Sequence, residues 1–291
     1  MPDLPEMECC GQSDVGLVRL DNQDTILLPS EPPLQERGWL FAVADGIGGY
    51  AHGQIASSLA VEKLLDVVCA DQSKPGLGAL RRGIEAANLS ILQTAQQLNA
   101  GRMGTTLTAG CIHAGQLHLG HVGDSRAYLI RGGKASCLTN DHTMVGDLVR
   151  SHVLGPEKVR SHAQRSILTR GLGLALFVKP DLIRLALKEG DRLVLCSDGV
   201  WSVIQDEEFA HLVKKDMSAC EICSDLINLA LERETDDNVS AVVVTIHSLS
   251  ASPQVGPRQA AWRNLLNPAR FLWGRASGRH VDEAVDSGSG R

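Results

Sequence analysis

The order of hydrophobic patterns along the chain predicts an α+β fold, in which helices cover a predominantly antiparallel sheet or sandwich. Short apolar or alternating segments of strand type occur in clusters, and segments with apolar residues at helical spacing lie between those clusters. Consecutive strands can pair through tight turns, whereas strands that alternate singly with helices form parallel sheets. The clustering therefore favours antiparallel pairing with segregated helices.

The predicted elements follow one another as strands, helices, strands, helices and a final strand. The first strands and the two helices after them are 6–10, 25–28, 40–44, 51–69 and 77–98. The second cluster is a meander with turns at 114–115 and 131–134, and its strands are 105–113, 116–122 and 127–131. The last elements are strands 182–187 and 192–196, helices 207–214 and 219–232, and the closing strand 239–247.

Two segments depart from these periods. Residues 141–170 are mixed and polar, which predicts an irregular or short-helical insert beside a pocket. The composition changes after residue 248, so we expect one domain at 1–248 and a flexible tail at 249–291. Within the tail, 262–273 has an apolar helical face interrupted by Pro268. Docking on a partner or a membrane surface, or adventitious packing within the chain, are both open for this segment.

Composition and charge exclude several classes of protein. The chain has 291 residues with a net charge of −6 and no run of basic residues, so nucleic acid is not an expected partner. It contains neither a secretory leader pattern nor an apolar run of the roughly 18 residues that would suggest a membrane span. These features predict a cytoplasmic protein without a transmembrane segment.

The eight cysteines have no framework spacing, which predicts reduced and mostly buried thiols. Cys220 and Cys223 have the two-residue gap of zinc and redox motifs, but no second Cys or His pair follows at a suitable spacing. A structural role is therefore the expectation for this pair.

Four short acidic motifs, far apart in the chain, lie beside apolar runs. They contain Asp45, Asp124, Asp198 and the pair Asp236-Asp237. Several carboxylates on turns at one edge of a sheet would form an oxygen-lined pocket, the type of site that hard divalent cations prefer. Gly46 allows a main-chain carbonyl to turn toward a cation beside Asp45. The pattern predicts a metal centre.

An arginine upstream of these motifs is a candidate phosphate-binding group. Arg19 precedes Asp24 by five residues, and the guanidinium group is suited to binding two phosphate oxygens. An isolated Arg is more often a surface salt-bridge partner, but beside a metal pocket it indicates phosphoryl chemistry.

Taken in order, these motifs resemble those of the bacterial branch of the metal-dependent Ser/Thr protein phosphatases of type 2C. The resemblance spans residues ~10–247, and 141–143 and 165–173 are also similar to segments that border the mobile flap of that family. The motifs are Arg19-x-x-Asn22-Gln23-Asp24, Asp45-Gly46-x-Gly48-Gly49, Met103-Gly104-Thr105-Thr106, Gly123-Asp124-Ser125-Arg126, Ser197-Asp198-Gly199 and Asp237-Asn238.

The resemblance implies a central antiparallel β-sandwich flanked by helix pairs, with two Mn²⁺ or Mg²⁺ ions at one end. It implies that Asp45 bridges both ions, that Gly46 contributes its carbonyl, and that Asp198 and Asp237 complete the ligand set. Asp124, with Asp198, would match a third metal site. The remaining implied site residues are Arg19 for the substrate phosphate, Asp24 for metal-bound waters, and Gln23 and Asn238 as neighbours of the ligands.

The reaction that follows is hydrolysis of phosphoserine and phosphothreonine on proteins by a metal-bridged hydroxide, opposing a bacterial Ser/Thr kinase. Two departures qualify it: Ile47 occupies the position of a His proposed as general acid in eukaryotic members, and Gln23 stands where many relatives have Glu. His142, His152 and His162 are alternative acid candidates because their ordinary pKa lies near neutrality.

Two alternative functions stay open. One is a metal-binding pseudophosphatase that recognises phosphoproteins without hydrolysing them, although no ligand position is impaired in the sequence. The other is a regulatory phosphatase of an anti-sigma-factor antagonist.

Overall fold

Strands of the computed structural model form two antiparallel sheets. The structure describes residues 6–29, 38–48, 52–71, 76–214 and 216–249. In chain order the strands are β1 (Glu6–Asp14), β2 (Asp24–Leu27), β3 (Trp39–Gly48), β4 (Met103–Thr105), β5 (Leu107–His113), β6 (Gln116–Val122), β7 (Arg126–Arg131), β8 (Lys134–Cys137), β9 (Asp181–Ala186), β10 (Arg192–Cys196) and β11 (Val239–Ser248). The first sheet has the order β1-β11-β10-β7-β8, and the second has the order β2-β3-β5-β6-β9, with β4 paired to the end of β3.

Helices cover the outer face of each sheet. They are α1 (His52–Ala70), α2 (Leu77–Leu98), α3 (Met144–Arg150), α4 (Asp198–Trp201), α5 (Glu208–Leu212) and α6 (Ala219–Glu232). Apolar residues of α1 and α2 pack on the second sheet, and those of α4, α5 and α6 pack on the first. The layers are therefore helix, sheet, sheet and helix, which confirms the predicted α+β sandwich.

Strand β3 shows how the core is divided. Leu40, Ala42 and Ala44 belong to the cluster under α1 and α2, whereas Phe41 and Val43 belong to the cluster between the two sheets. Successive side chains of a strand point to opposite faces, so a strand buried on both faces is apolar at nearly every position. Because aliphatic packing fills both layers, β3 is held rigidly up to its polar end at Asp45.

The predicted elements match the structure closely, with local differences. The predicted bounds of helices 77–98 and 219–232 are confirmed, but β8 and α4 were not predicted from the pattern. The expected strand 105–113 is divided between β4 and β5 at Thr106, whose amide binds the Asp45 carbonyl at 2.9 Å instead of continuing one ladder. Four-residue elements such as β8 and α4 are too short to display a period.

The expectation of reduced cysteines is wrong for two of them. Cys10 on β1 and Cys220 in the first turn of α6 form a disulfide, with their Cα atoms 5.0 Å apart. The two residues are 210 positions apart, so their proximity arises only from the docking of α6 on β1 and could not be inferred from spacing. Cys223 instead donates its thiol to the Ala241 carbonyl at 3.4 Å, so the pair Cys220 and Cys223 is not a joint site.

The structure describes the predicted insert but not most of the predicted tail. Residues 141–170 contain α3, a short 3₁₀ helix at Pro156–Lys158 and turns, as expected from the mixed pattern, while their role as an insert stays a prediction. The segment 262–273 and nearly all of the predicted tail lie outside the described residues, so the boundary at 248 stays a prediction. Among the described residues, no helix combines the length and apolar character needed to cross a bilayer.

Candidate metal centre

Four aspartates from distant parts of the chain meet at one end of the sandwich. Asp45 lies near the end of β3 in the second sheet, Asp198 begins α4 directly after β10, and Asp237 lies two residues before β11. Asp124 lies where the chain passes from β6 in the second sheet to β7 in the first. All four line one cavity of about 590 Å³. The predicted ligands are therefore brought together by the fold.

A fifth carboxylate faces Asp45 across a strand pair. Asp24 at the start of β2 is directly opposite Asp45 in the antiparallel register of β2 and β3. Residues directly opposite in such a pair have side chains on the same face. The structure thus brings Asp24 to the buried side of the cluster, next to Asp45.

The backbone of Asp45 is clamped by two threonines. The Asp45 carbonyl accepts hydrogen bonds from the Thr106 amide at 2.9 Å and the Thr105 hydroxyl at 2.8 Å. The Asp45 amide donates to Thr106 Oγ1 at 2.9 Å, and that oxygen lies 2.7 Å from Ser125 Oγ. These bonds fix the position of the Asp45 backbone, and Ser125 braces the network through its contact with Thr106.

Gly46 permits a close approach of three chain segments. A Cβ atom at Gly46 would lie 2.6 Å from the Gln23 carbonyl and would also collide with the Gly53 carbonyl. Contacts this close with backbone cannot be relieved by rotating a side chain, so only glycine fits. Because Gly46 has no side chain, nothing covers the backbone next to Asp45 where Gly46 lines the cavity.

Asn238 joins the loop that carries Arg19 to the turn that carries Asp237. Its side chain accepts from the Gln23 amide at 2.9 Å and donates to the carbonyls of Val15 at 2.8 Å and Asp21 at 3.0 Å. An amide side chain has both donors and acceptors, and here both kinds are used. Asn238 and Gln23 therefore hold in place the turn that carries Asp237.

The turn at Asp124 is held from three sides. Trp201 Nε1 donates to the Asp124 carbonyl at 2.8 Å. Gly123 has φ of +110°, and it donates its amide to His142 Nδ1 at 3.1 Å while its carbonyl accepts from the His142 amide at 2.7 Å. A Cβ at Gly123 would lie 2.6 Å from Thr106 Cβ. The packed indole and the histidine therefore set the direction of this carboxylate.

Arg19 stands at the rim of the cavity. Its Nη2 lies 2.7 Å from Asp237 Oδ2, and its Nε donates to the Asp236 carbonyl at 3.3 Å. The side chain is 54% exposed, so the guanidinium group is accessible while it is anchored to the turn before β11. The sequence predicted its location but not its pairing with Asp237.

The carboxylates are buried close to one another, and this raises their pKa values. Burial, followed by the Asp24 and Asp198 carboxylates, raises the pKa of Asp45 well above its ordinary value. Burial raises the pKa of Asp24 to about 6, and burial with Asp237 and Asp24 raises the pKa of Asp198 to about 7. Burial, followed by Asp198, also raises the pKa of Asp124. The raised pKa values indicate that negative charge is concentrated here beyond what the nearby Arg19 and Arg126 offset.

Unpartnered oxygens show that this group fits divalent cations. Among the described residues, neither carboxylate oxygen of Asp24 nor Oδ1 of Asp198 has a hydrogen-bond partner of acceptable geometry, and all three oxygens are buried. Buried polar atoms are normally hydrogen-bonded, so such exceptions require a ligand or a cost in stability. Carboxylate and carbonyl oxygens are the ligands that Mg²⁺ and Mn²⁺ prefer.

The insert reaches the cavity, but its histidines do not. Ser166 and Leu168 are part of the cavity lining, whereas His142, His152 and His162 are not. His142 is buried under the Asp124 turn, and burial lowers its pKa. The structure gives no support to these residues as general acids.

Sequence reasoning missed several residues that support the site. Arg126 makes a bidentate ion pair with Asp141, at 2.7 and 2.9 Å, and its guanidinium carbon lies 3.7 Å from the ring centroid of Trp201. Arg126 belongs to a motif already noted, but its partner is 15 residues away. Arg102, which also lines the cavity, gave no signal because a single Arg in a loop is common.

Comparisons with known proteins agree with this geometry. The family model for protein phosphatase 2C matches residues 20–233. Serine/threonine protein phosphatase PstP of Mycobacterium tuberculosis is 37% identical over 239 residues, which are 81% of this chain and 44% of PstP. Protein phosphatase PhpP of Streptococcus pneumoniae is 32% identical over 249 residues, which are 84% of this chain and 100% of PhpP.

A solved structure of a relative contains the expected kind of metal. The catalytic domain of PstP, in complex with two manganese ions, is 32% identical and has a TM-score of 0.73, with 83% of this chain and 99% of that chain covered. The chain spans less than half the length of full PstP. The match of fold, motifs and sequence shows that the chain belongs to the bacterial branch of the metal-dependent serine/threonine protein phosphatases of type 2C.

Proposed function

We propose that this chain hydrolyses phosphoserine and phosphothreonine on proteins, using two Mn²⁺ or Mg²⁺ ions. Asp45, Gly46, Asp198 and Asp237 would hold the two ions, and Asp124 with Asp198 would hold a third. The observation that carries the proposal is the convergence of four aspartates from both sheets on one cavity. Among the described residues, Asp198 Oδ1 and both carboxylate oxygens of Asp24, which lies opposite Asp45, are buried without a hydrogen-bond partner of acceptable geometry. The metal-containing relative supports the choice of ion.

The residues of this chain have distinct parts in the reaction. Bound divalent cations supply an acidified water and neutralise charge on the phosphoryl oxygens. The buried Asp24, opposite Asp45, would accept hydrogen bonds from water bound at the metal centre. The clamp of Thr105 and Thr106 keeps Asp45 from moving when the charge of the substrate changes, so little reorganisation is needed during the reaction.

Arg19 binds the phosphate of the substrate. Its guanidinium group is held at the rim by Asp236 and Asp237 yet remains half exposed. A planar guanidinium can contact two phosphoryl oxygens at once. Because an ion pair to Asp237 already orients the side chain, binding of substrate costs little additional conformational entropy.

The cellular setting is part of this proposal. The chain is proposed to oppose a Ser/Thr kinase. Docking of the segment 262–273 on a partner or a membrane surface, or its adventitious packing, stays a prediction because this segment lies outside the described residues. Cytoplasmic localisation stays a prediction. A phosphoprotein-binding pseudophosphatase is disfavoured because Asp45, Asp198 and Asp237 all line the cavity. No observation favours an anti-sigma-factor antagonist as the substrate.

A phosphatase assay with matched variants tests the proposal. Phosphate release from a phosphothreonine peptide is measured with and without Mn²⁺, for the wild type and for Asp45→Asn and Asp198→Asn. We expect turnover to need the metal and to fall by at least about 100-fold in each variant, the loss typical when stabilisation of a charged transition state is removed.

Lys63→Gln, at an exposed ion pair on α1 with Asp66, is the control and should retain activity. Circular dichroism establishes that each variant is folded. A folded, metal-loaded wild type that releases no phosphate from several phosphopeptides would overturn the proposal in favour of phosphoprotein binding.

A further inference from the structure

A second cavity adjoins the metal centre. It has a volume of about 750 Å³ and is lined by Gly101, Arg102 and residues between Leu168 and Lys179. Arg102 and Leu168 line both cavities, so the two lie side by side at these residues. We refer to this second cavity as the flanking groove. A phosphorylated side chain in the metal centre would bring its neighbouring residues to the groove.

The flanking groove has the opposite charge to the metal centre. Arg102, Arg170 and Lys179 line it, and no Asp or Glu is found among its described lining residues. Arg170 is paired with Asp181 at 2.8 Å. Arg102 and Lys179 are exposed and form no ion pair with another described residue. Two cations are therefore available to an anionic group that enters from solvent.

The backbone of Arg102 is fixed although its side chain is exposed. The next residue, Met103, is buried and pairs with Gly48 in the register of β3 and β4. The Arg102 carbonyl would lie only 3.3 Å from a Cβ at Gly48. The guanidinium group therefore projects from a fixed position, directly before the strand β4 that pairs with β3, the strand of Asp45.

The apolar part of the groove is also held in place. Phe177 is 87% exposed, and Leu168 and Leu174 line the groove below it. The buried side chain of Asn88 on α2 accepts from the Gly173 amide at 2.8 Å and donates to the carbonyls of 175 and 176 at 3.0 and 3.2 Å. An exposed aromatic ring on a braced loop is typical of a preformed contact surface.

We propose that the flanking groove binds the part of a phosphoprotein substrate next to the phosphorylated residue and selects an anionic side chain there. Arg102 and Lys179 contact the anion, a carboxylate or a second phosphate, and Phe177 packs against an apolar neighbour. The proposal rests on the phosphatase function proposed above and makes Arg102 a specificity-determining residue.

A set of phosphothreonine peptides tests the selection. A single Glu is moved from four residues before to four residues after the phosphothreonine in an otherwise neutral peptide, and kcat/KM is measured with Mn²⁺. At one or two positions we expect an increase of about fivefold, the upper range for an exposed ion pair. Phosphoserine at the same position distinguishes a preference for a second phosphate from one for a carboxylate.

Reversal of the charges that line the flanking groove is the decisive test. In Arg102→Glu, the ratio of kcat/KM for the best Glu peptide to that for the matching Lys peptide should fall about tenfold, because attraction is replaced by repulsion. Lys179→Glu should shift the same ratio in the same direction. Arg81→Glu, an equal change of charge at an exposed position of α2 that lines neither cavity, is the matched control and should leave the ratio unchanged.

Binding is measured separately with non-hydrolysable phosphonate versions of the same peptides, and their relative affinities should follow the same order. Equal use of Glu and Lys peptides by the wild type, or an unchanged ratio in both variants, would overturn the proposal. Turnover of p-nitrophenyl phosphate, which has no flanking residues, reports on the metal centre alone. If the wild type does not hydrolyse p-nitrophenyl phosphate, the proposed phosphatase function is refuted, and not the proposal for the groove.

Discussion

The metal centre depends on four carboxylates and on the hydrogen bonds that hold them in place. Asp45, Asp124, Asp198 and Asp237 each lie in a short motif beside an apolar run, and the structure brings all four into one cavity. The contacts that hold them were not predictable, because the clamp of Thr106 on Asp45 joins residues that are 61 positions apart. Hydrogen bonds of that kind depend on the packing of whole strands.

The burial of His121 makes the stability of the protein depend on pH. It is fully buried between Thr108 Oγ1, at 2.9 Å, and the Asn140 carbonyl, at 3.1 Å, with the His142 ring at 4.7 Å. Burial, followed by the charge of His142, lowers the pKa of His121 to about 3, and the charges of Asp181 and Arg170 act in opposite directions.

Below about pH 6.5 the unfolded chain binds a proton at His121 and the folded chain does not, so acid removes stability. The difference in unfolding free energy between wild type and His121→Gln should therefore fall by up to ~1.4 kcal/mol per pH unit between about pH 6.5 and 3. Urea denaturation at several pH values measures this difference at constant Mn²⁺. A difference independent of pH would contradict it, and the exposed His211→Gln serves as the control.

Secondary-structure elements were predicted well when they were long and periodic. Helices α2 and α6 were predicted with their observed bounds, whereas β8 and α4 have four residues each and were missed. The disulfide between Cys10 and Cys220 was also missed. Its formation requires α6 to lie on β1, a contact that no local pattern encodes.

Two glycines of α2, Gly78 and Gly83, differ in the space around them. A Cβ at Gly78 would meet only the Arg82 side chain, at 3.4 Å, whereas a Cβ at Gly83 would lie 2.7 Å from Leu64 Cδ1 on α1. Gly78→Ala should raise the free energy of unfolding by about 0.5 kcal/mol through helix propensity. Gly83→Ala should lower it by about 1–2 kcal/mol, because overpacking against α1 outweighs the same gain.

Thermal and urea denaturation of both variants test this comparison, with each glycine acting as the control for the other. An equal stabilisation by both substitutions would mean that α1 and α2 do not approach closely at Gly83.

At the scale of the whole molecule, the site depends on how two sheets are joined. β1 belongs to the first sheet, β2 and β3 to the second, and the chain returns to the first sheet after β6. Local patterns predicted antiparallel strands and covering helices, but not this order of strands. The crossings bring Asp124 and the loop with Arg19 to the end of the sandwich where Asp45, Asp198 and Asp237 lie.

The flanking groove also belongs to this scale. It lies between the loop before β4 and residues 168–179, which include the end of the insert, so neither segment alone predicts it. Its position beside the metal centre makes selection of substrate a property of the assembled fold.

The most direct test of the metal centre is anomalous diffraction at the manganese edge, from crystals grown with Mn²⁺. At least two peaks should lie in the cavity, with oxygens of Asp45 within about 2.0–2.6 Å of both, the range for hard cations and oxygen ligands. Asp45→Asn crystals should lose at least one of these peaks. Crystals at saturating Mn²⁺ that show no peak among Asp45, Asp198 and Asp237 would contradict the account.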